Sequence, residues 1–330
     1  MTQATVIGTT SWGTTLAVVL ARNGVRVWLW ARGEAEAKQL RETGENTRLL
    51  PGVPFPTLLT VTNSLEEALN GSTMVILAVP SQTMRENVGH LRGLLSPGSI
   101  ILSATKGLEV NTAQRMSQVI AEGSHPGVSI AVLSGPNLGR EIARGLPAAT
   151  VVAATDDPVA REVQRLFISP NLRVYTNSDV IGVELGGALK NIIAIGAGMC
   201  DGWGFGDNAK AALITRGLAE MTRLGVAAGA NPLTFAGLAG MGDLVATCSS
   251  PLSRNHQVGE QLAWGRPLPD IIASLGHVAE GISTTRAASR LAQEFKVEMP
   301  IINQTYRVLF QGLDPRQAAA ELLAREPKAE

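Results

Sequence analysis

The sequence predicts an α/β fold, a doubly wound parallel sheet, followed by an all-α C-terminal domain. Three observations predict it. Short apolar runs alternate with helically spaced segments up to about residue 180, and helical spacing alone continues afterwards. A chain of 330 residues also exceeds what one hydrophobic core usually supports. The expected domains are therefore residues 1–180 and 181–330, sharing a tight interface with a cleft between them, since no Ser/Pro-rich linker separates them.

Residues 5–7 read as a short buried strand. After the turn from Gly8 to Gly13, an apolar helical pattern runs through Leu16, Val19 and Leu20 to Asn23-Gly24, where Gly24 can close the helix in a left-handed conformation. Further strands are expected at 25–30, 74–79, 99–103 and 130–133, each separated by a helix-like segment, which defines a parallel sheet. Two more strand candidates, 149–153 and 172–175, flank a helical stretch at 158–167. Beyond them, 183–199, 210–228, 233–238, 256–264 and 284–295 are all expected to be helices.

Composition narrows the function. Lys plus Arg and Asp plus Glu both number 28, so no overall field draws the chain to nucleic acid or to an anionic membrane. The two cysteines, Cys200 and Cys248, lie outside any metal-ligand spacing and read as buried free thiols, with neither a disulfide framework nor a metal site. The chain enters a strand at once, leaving no room for a leader, and no stretch approaches the length of a spanning helix. Cytoplasmic residence is the expectation, with a small-molecule substrate as partner and a homodimer suited to apolar helical faces.

The turn Gly8-Thr9-Thr10-Ser11-Trp12-Gly13 stands between the first strand and first helix. A dinucleotide pyrophosphate would meet unpaired helix N–H groups there, as in Rossmann-like domains. Where the G-x-G-x-x-G pattern has its middle glycine, this chain has Thr10, whose Cβ is expected to point where the phosphate comes. A tight strand-to-helix junction alone would also account for Gly8 and Gly13. At the end of the second strand, Arg32 replaces the acid that would bind a ribose 2′-hydroxyl and suits a 2′-phosphate, favouring NADP over NAD. Val79-Pro80-Ser81 and Ala104-Thr105-Lys106-Gly107 fall just past later strands, on the edge where such sheets bind ligands.

In the second half, Glu184-Leu185-Gly186-Gly187-Ala188-Leu189-Lys190-Asn191 opens a helix whose small residues allow close packing around a single lysine. To act as a base near neutrality, that amine must lose roughly two to three pKa units from about 10.4. The bland alternative is a lysine that snorkels to solvent or pairs with an acidic neighbour. Asp243 and Thr247 stand four apart, on one helix face, and Ser253-Arg254-Asn255 follows, a set suited to a phosphorylated polyol. Here the alternative is a helix cap and an exposed arginine.

Together these segments resemble the bacterial NAD(P)-dependent glycerol-3-phosphate dehydrogenases over nearly the whole chain. The resemblance rests on Ser11-Trp12-Gly13-Thr14, residues 46–52, Ala78-Val79-Pro80-Ser81, Ser103-Ala104-Thr105-Lys106-Gly107-Leu108-Glu109 and Ser134-Gly135-Pro136. It extends through residues 183–191, 242–248, Ser253-Arg254-Asn255 and Glu280-Gly281. It implies reversible reduction of dihydroxyacetone phosphate to sn-glycerol 3-phosphate, a phospholipid precursor, with NADP or NAD as cofactor. It further implies Lys190 as the proton acceptor beside Asn191, Asp243 and Thr247, with Lys106 touching both substrate and cofactor. Gly135, Asn137, Ser253, Arg254 and Asn255 would surround the substrate. Gly8, Ser11, Trp12, Gly13, Arg32, Gly139, Arg254, Val278 and Glu280 would meet the dinucleotide. The chain departs from that pattern at Thr10, Gly33, Asn137, Leu138 and Gly139. Two other readings share the plan: a β-hydroxyacid dehydrogenase or ketopantoate-type reductase, and a catalytically silent dinucleotide-binding sensor.

Overall fold

The computed structural model describes residues 2–276 and 278–326. The chain forms two compact units: Met1–Lys106 with Met116–Val183, and Gly107–Arg115 with Glu184–Glu330.

The first unit alternates strand and helix in the order β1 (Gln3–Ile7), α1 (Ser11–Arg22), β2 (Arg26–Trp30), α2 (Glu34–Thr43), β3 (Leu59–Thr62), α3 (Leu65–Leu69), β4 (Met74–Leu77) and α4 (Met84–Leu91). It continues with β5 (Ile100–Ser103), α5 (Met116–Gly123), β6 (Ser129–Ser134), α6 (Gly139–Ala143), β7 (Ala148–Ala153), α7 (Asp157–Phe167) and β8 (Leu172–Asn177). The eight strands lie in the order β3-β2-β1-β4-β5-β6-β7-β8. Leu16, Leu20, Leu40 and Val163 pack on one face, while Leu69, Val88, Leu91 and Ile120 pack on the other, so the sheet is doubly wound. Its strand order reverses between β1 and β4, the switch point at which such sheets bind ligands.

The sheet is not wholly parallel as the sequence predicted: β6 and β7 pair antiparallel, with Leu133 opposite Val152. The link from β6 to β7 holds a single helix of five residues, α6, too short to lie along the sheet as the crossover helix of a parallel pair does. The chain therefore re-enters the sheet from the edge it has just left. β3 also lies outside the sequence expectations, being four residues of Leu-Thr-Val-Thr with half its positions polar.

The helical unit contains most of α8 (Val180–Trp203), then α9 (Gly206–Ala227), α10 (Pro232–Ala236), a π turn at Leu238–Gly242 and α11 (Asp243–Ser249). It ends with α12 (Arg254–Ala263), α13 (Leu268–Leu275), α14 (Glu280–Glu294), α15 (Pro300–Gln311) and α16 (Pro315–Leu323). The last strand among the described residues is β8. Helix α8 corrects another expectation, since by length and composition it could cross a membrane. Leu185, Leu189, Ile192, Ile193 and Ile195 are all fully buried, however, so α8 is apolar all round because it is the core of this unit. Its charged residues interrupt the apolar run and hide that length in the sequence.

Glycines set how closely neighbours approach α8. A Cβ on Gly198 would stand 2.0 Å from the His256 carbonyl oxygen, and one on Gly259 of α12 would stand 1.9 Å from that of Ile195. Helices α8 and α12 thus cross backbone to backbone. Asp201 near the end of α8 accepts from Lys210 Nζ at 2.5 Å and His256 Nε2 at 2.7 Å, tying α8 to both α9 and α12. Burial opposes the Asp201 charge, but these two donors outweigh it and hold its pKa below the usual carboxylate value.

Glu220 of α9 is buried and caps α15, accepting from the Ile301 N–H at 2.8 Å and the Ile302 N–H at 3.3 Å. Burial pushes its pKa from the usual 4.5 to about 7, outweighing the two N–H groups and the Arg223 and Arg325 charges that lower it. Between pH 4.5 and about 7 the folded chain then holds a proton that the unfolded chain releases. The contribution of that proton is complete below the unfolded value and lost as pH rises through the folded one, on the order of 3 kcal/mol across the window. Denaturant unfolding across this range should show stability falling with pH, and Glu220→Gln should flatten that component; an unchanged slope would contradict it.

Candidate active site

In the first unit, the turn after β1 is built by two glycines. Gly8 has φ of 112°, and a Cβ there would lie 2.7 Å from the Ala78 carbonyl oxygen. A Cβ on Gly13 would lie 2.1 Å from the Gly8 carbonyl oxygen. The turn thus closes onto the chain leaving β4, at the switch point. Asn46 buttresses it from behind, with Nδ2 donating to the Thr9 carbonyl and to Thr14 Oγ1, both at 2.9 Å. Sequence reasoning gave Asn46 no role of its own, because a single asparagine in a loop carries no pattern.

Thr10 does something other than the sequence suggested. Its hydroxyl is turned into the protein, donating to the Ala78 carbonyl at 2.9 Å and accepting from the Gly13 N–H at 3.0 Å. It is the N-cap of α1. The first intrahelical bond runs from Thr14 N to the Thr10 carbonyl, leaving the N–H groups of Ser11 and Trp12 ahead of it for an anion. The turn thus keeps the N–H donors that a pyrophosphate needs, although Thr10 stands where the middle glycine would be.

Arg32 follows β2 as an exposed side chain, 3.7 Å from Glu86. Lys106 follows β5 and donates to the Gly135 carbonyl at 2.7 Å. Asn137 Oδ1 accepts from Thr150 at 3.2 Å, while Asn137 Nδ2 and Trp12 Nε1 are buried donors without a partner. Gly139 begins α6 against α1: a Cβ there would come within 3.0 Å of Thr15 Oγ1, which also bonds the Gly139 carbonyl.

In the helical unit, Gly186 packs where a Cβ would sit 2.5 Å from the Ala239 carbonyl oxygen. One turn further along α8 is Lys190, and one turn beyond Ala239 is Asp243. The close approach of the two backbones thus sets the lysine beside the acid. Lys190 Nζ donates to Asp243 Oδ1 at 2.6 Å and to Thr247 Oγ1 at 2.5 Å. The Thr247 hydroxyl gives its own proton to the Asp243 carbonyl at 2.7 Å, so it can only accept from Lys190. Lys190 is 5% exposed and Asp243 1%, so of the bland alternative the snorkelling half fails while the pairing with an acidic neighbour is what the structure has. The π turn just ahead of Asp243 re-aims the chain at this point, and such bulges are frequent at functional sites.

Ser253 caps α12 by accepting from the His256 N–H at 3.3 Å, and Arg254 follows as an exposed residue. Desolvation lowers the Arg254 pKa, with Glu280 opposing it. An arginine with this access to water stays a cation. Asn255 is turned inward: Nδ2 donates to Asn191 Oδ1 and Oδ1 accepts from the Gly281 N–H, both at 2.9 Å. Asn191 is held in turn by the Gly187 carbonyl at 3.3 Å. A Cβ on Gly281 would meet the Asn191 carbonyl at 2.6 Å, so this glycine lets α14 close on the asparagine pair. Glu280 starts α14 and Val278 is exposed just before it. Cys248 is buried, its thiol pushed up to about 12 by desolvation, and the half-buried Cys200 is raised for the same reason.

A doubly wound sheet with an anion cradle at its switch point, joined to a helical unit holding a buried lysine, defines an NAD(P)-dependent dehydrogenase acting on a CH–OH group. Comparison with known proteins is more specific. The N-terminal part of the NAD-dependent glycerol-3-phosphate dehydrogenase family matches residues 3–160 and its C-terminal part matches residues 179–320. A glycerol-3-phosphate dehydrogenase [NAD(P)+] of Dehalococcoides mccartyi is 54% identical over 329 residues, covering 99% of this chain and 92% of that one. The enzyme of the same name from Geobacter sulfurreducens is 51% identical, covering 98% of both. A crystal structure of glycerol-3-phosphate dehydrogenase from Coxiella burnetii superposes with a TM-score of 0.94 at 39% identity, covering 98% of this chain and 99% of that one. The chain belongs to the NAD-dependent glycerol-3-phosphate dehydrogenase family.

Three substitutions test the turn. Thr10→Gly should cost only tenths of a kcal/mol and Thr10→Ala about 1 kcal/mol in thermal unfolding, with dinucleotide affinity changing little in either. A large gain in affinity for Thr10→Gly would show that Thr10 obstructs the phosphate. Gly13→Ala should abolish dinucleotide binding by forcing α1 away from the turn.

Proposed function

We propose that the chain interconverts dihydroxyacetone phosphate and sn-glycerol 3-phosphate with NAD(P), supplying a phospholipid precursor, and that Lys190 carries the proton. The observation behind this reading is the buried triad of Lys190, Asp243 and Thr247. An ammonium has three N–H donors, and two are fixed on Asp243 and Thr247. The third is left for a substrate oxygen.

When bound, the nicotinamide supplies or accepts hydride at the substrate C2 carbon. In the reducing direction Lys190 delivers its remaining proton to the C2 oxygen; in the oxidising direction it takes the C2 hydroxyl proton. Asp243 keeps the amine in place in both directions and offsets its charge. Thr247 fixes its orientation. Asn191 and Asn255, locked to each other and to Gly281, hold α8, α12 and α14 in register behind it.

Arg254 takes the substrate phosphate, since its planar fork matches phosphate oxygens bidentately, with Ser253 securing the turn that presents it. Lys106, fixed on Gly135, contributes a second cation toward substrate and cofactor, with Asn137 beside it. Gly8, Ser11, Trp12, Gly13, Arg32 and Gly139 serve the dinucleotide from the first unit, and Val278, Glu280 and Arg254 from the helical one. Cytoplasmic residence and a homodimer belong to the same proposal.

Lys190→Met should lower kcat by about 10³-fold or more while dinucleotide affinity stays within about threefold. The same variant strands a buried carboxylate and should lose roughly 3–5 kcal/mol of stability. Combining it with Asp243→Asn should recover much of the stability without the turnover. Retained turnover in Lys190→Met would end the proton assignment. Arg254→Ala should raise the KM for dihydroxyacetone phosphate about 10- to 100-fold with a smaller change in kcat; an unchanged KM removes Arg254 from the phosphate.

A further inference from the structure

Helix α2 starts immediately beyond β2, with Gly33 as its N-cap and Glu34, Ala35 and Glu36 as its first three residues. A carboxylate at the third position commonly reaches back to its own helix start. Glu36 instead reaches across to the turn after β1, where its Oε1 accepts from Thr9 Oγ1 at 2.7 Å. Ile7 and Trp30 are register partners, so the turn and the end of β2 stand side by side on the same sheet edge. In dinucleotide-binding sheets the pyrophosphate sits on that turn and the adenosine ribose spans toward the end of β2, where an acid accepts from the 2′-hydroxyl.

We propose that Glu36 reads the adenosine ribose and outweighs the neighbouring Arg32 in the choice of cofactor, so that the chain favours the cofactor lacking a 2′-phosphate, NAD(H). This rests on the dinucleotide reading of the turn given above. Glu36 is half-buried and anchored by Thr9, with carboxylate lone pairs able to accept from ribose hydroxyls. A 2′-phosphate in the same place would bring nearly two further negative charges against it.

The neighbouring groups do not reverse the balance. Arg32 lies 3.7 Å from Glu86, and Arg41 is taken by Glu34 at 2.6 Å. Gly33, next to Arg32, offers no second cation. The Arg32–Glu86 pair is exposed and weak, so Arg32 can swing free. What opposes a phosphate is Glu36, which Thr9 keeps at the turn.

The test is a calorimetric titration of the full chain with NADH and with NADPH, without substrate, repeated with 5′-ADP and 2′,5′-ADP as fragments. NADH should bind at least about tenfold tighter than NADPH, with the fragments ranking the same way. Glu36→Gln should narrow the gap by at least about threefold, through weaker NADH and stronger NADPH binding, whereas Arg32→Ala should move the ratio less. Equal or tighter binding of NADPH by the unaltered chain, or an unchanged ratio in Glu36→Gln, would overturn the proposal. Binding of neither nucleotide would overturn it too, by removing the dinucleotide reading of the turn, a result distinct from binding both alike.

Discussion

An ammonium taken out of water costs several kcal/mol unless a carboxylate and hydrogen bonds meet it. Lys190 is met by both, and the whole helical unit is arranged around that requirement. Helix α8 must be apolar to form the core, yet it carries one charge in its middle. Asp243 answers that charge only because Gly186 lets the backbone of the π turn come close enough. Thr247, one turn beyond Asp243, removes the remaining freedom of the amine. The stability of the unit and the placement of the Lys190 amine thus rest on the same contact.

The first unit meets an analogous demand with backbone alone. An anion needs unpaired N–H groups and no obstructing side chain, and Gly8 and Gly13 meet that need by letting α1 press on the end of β4. Thr10 shows that the middle position tolerates a side chain when its hydroxyl finds acceptor and donor within the turn. Asn46 then holds the turn from the opposite side. The two units solve different electrostatic problems with one device, glycine at a point of close approach.

Much of this was legible in the sequence, because periodicity reports burial. The alternation of strand and helix, the start of α1 and the apolar surroundings of Lys190 all follow from spacing. Strand direction was not legible: β6 and β7 read as equivalent apolar runs, and only the shortness of α6 reverses one of them. The Lys190–Asp243 pair joins residues 53 apart. Spacing could offer both as candidates, yet only the packing of Gly186 on Ala239 makes them neighbours. Glu36 escaped notice because it stands six residues past β2, inside a helix, where a carboxylate reads as an ordinary solvated face. Its reach to Thr9 is a tertiary fact.

The segment Gly107–Arg115 belongs to the helical unit although it lies between β5 and α5. Arg115 bonds Glu184 of α8 at 2.5 Å, and the Asn111 carbonyl accepts from Arg290 of α14. Neither half can therefore be excised by a single cut near residue 180. A C-terminal fragment would lose the arginine that meets Glu184 at the start of α8, and an N-terminal fragment would carry a loop severed from its anchors. Recombination that exchanges one half for that of a relative inherits the same penalty unless these nine residues travel with the helices. The two halves are in this sense sewn together, and must diverge as a single piece of chain.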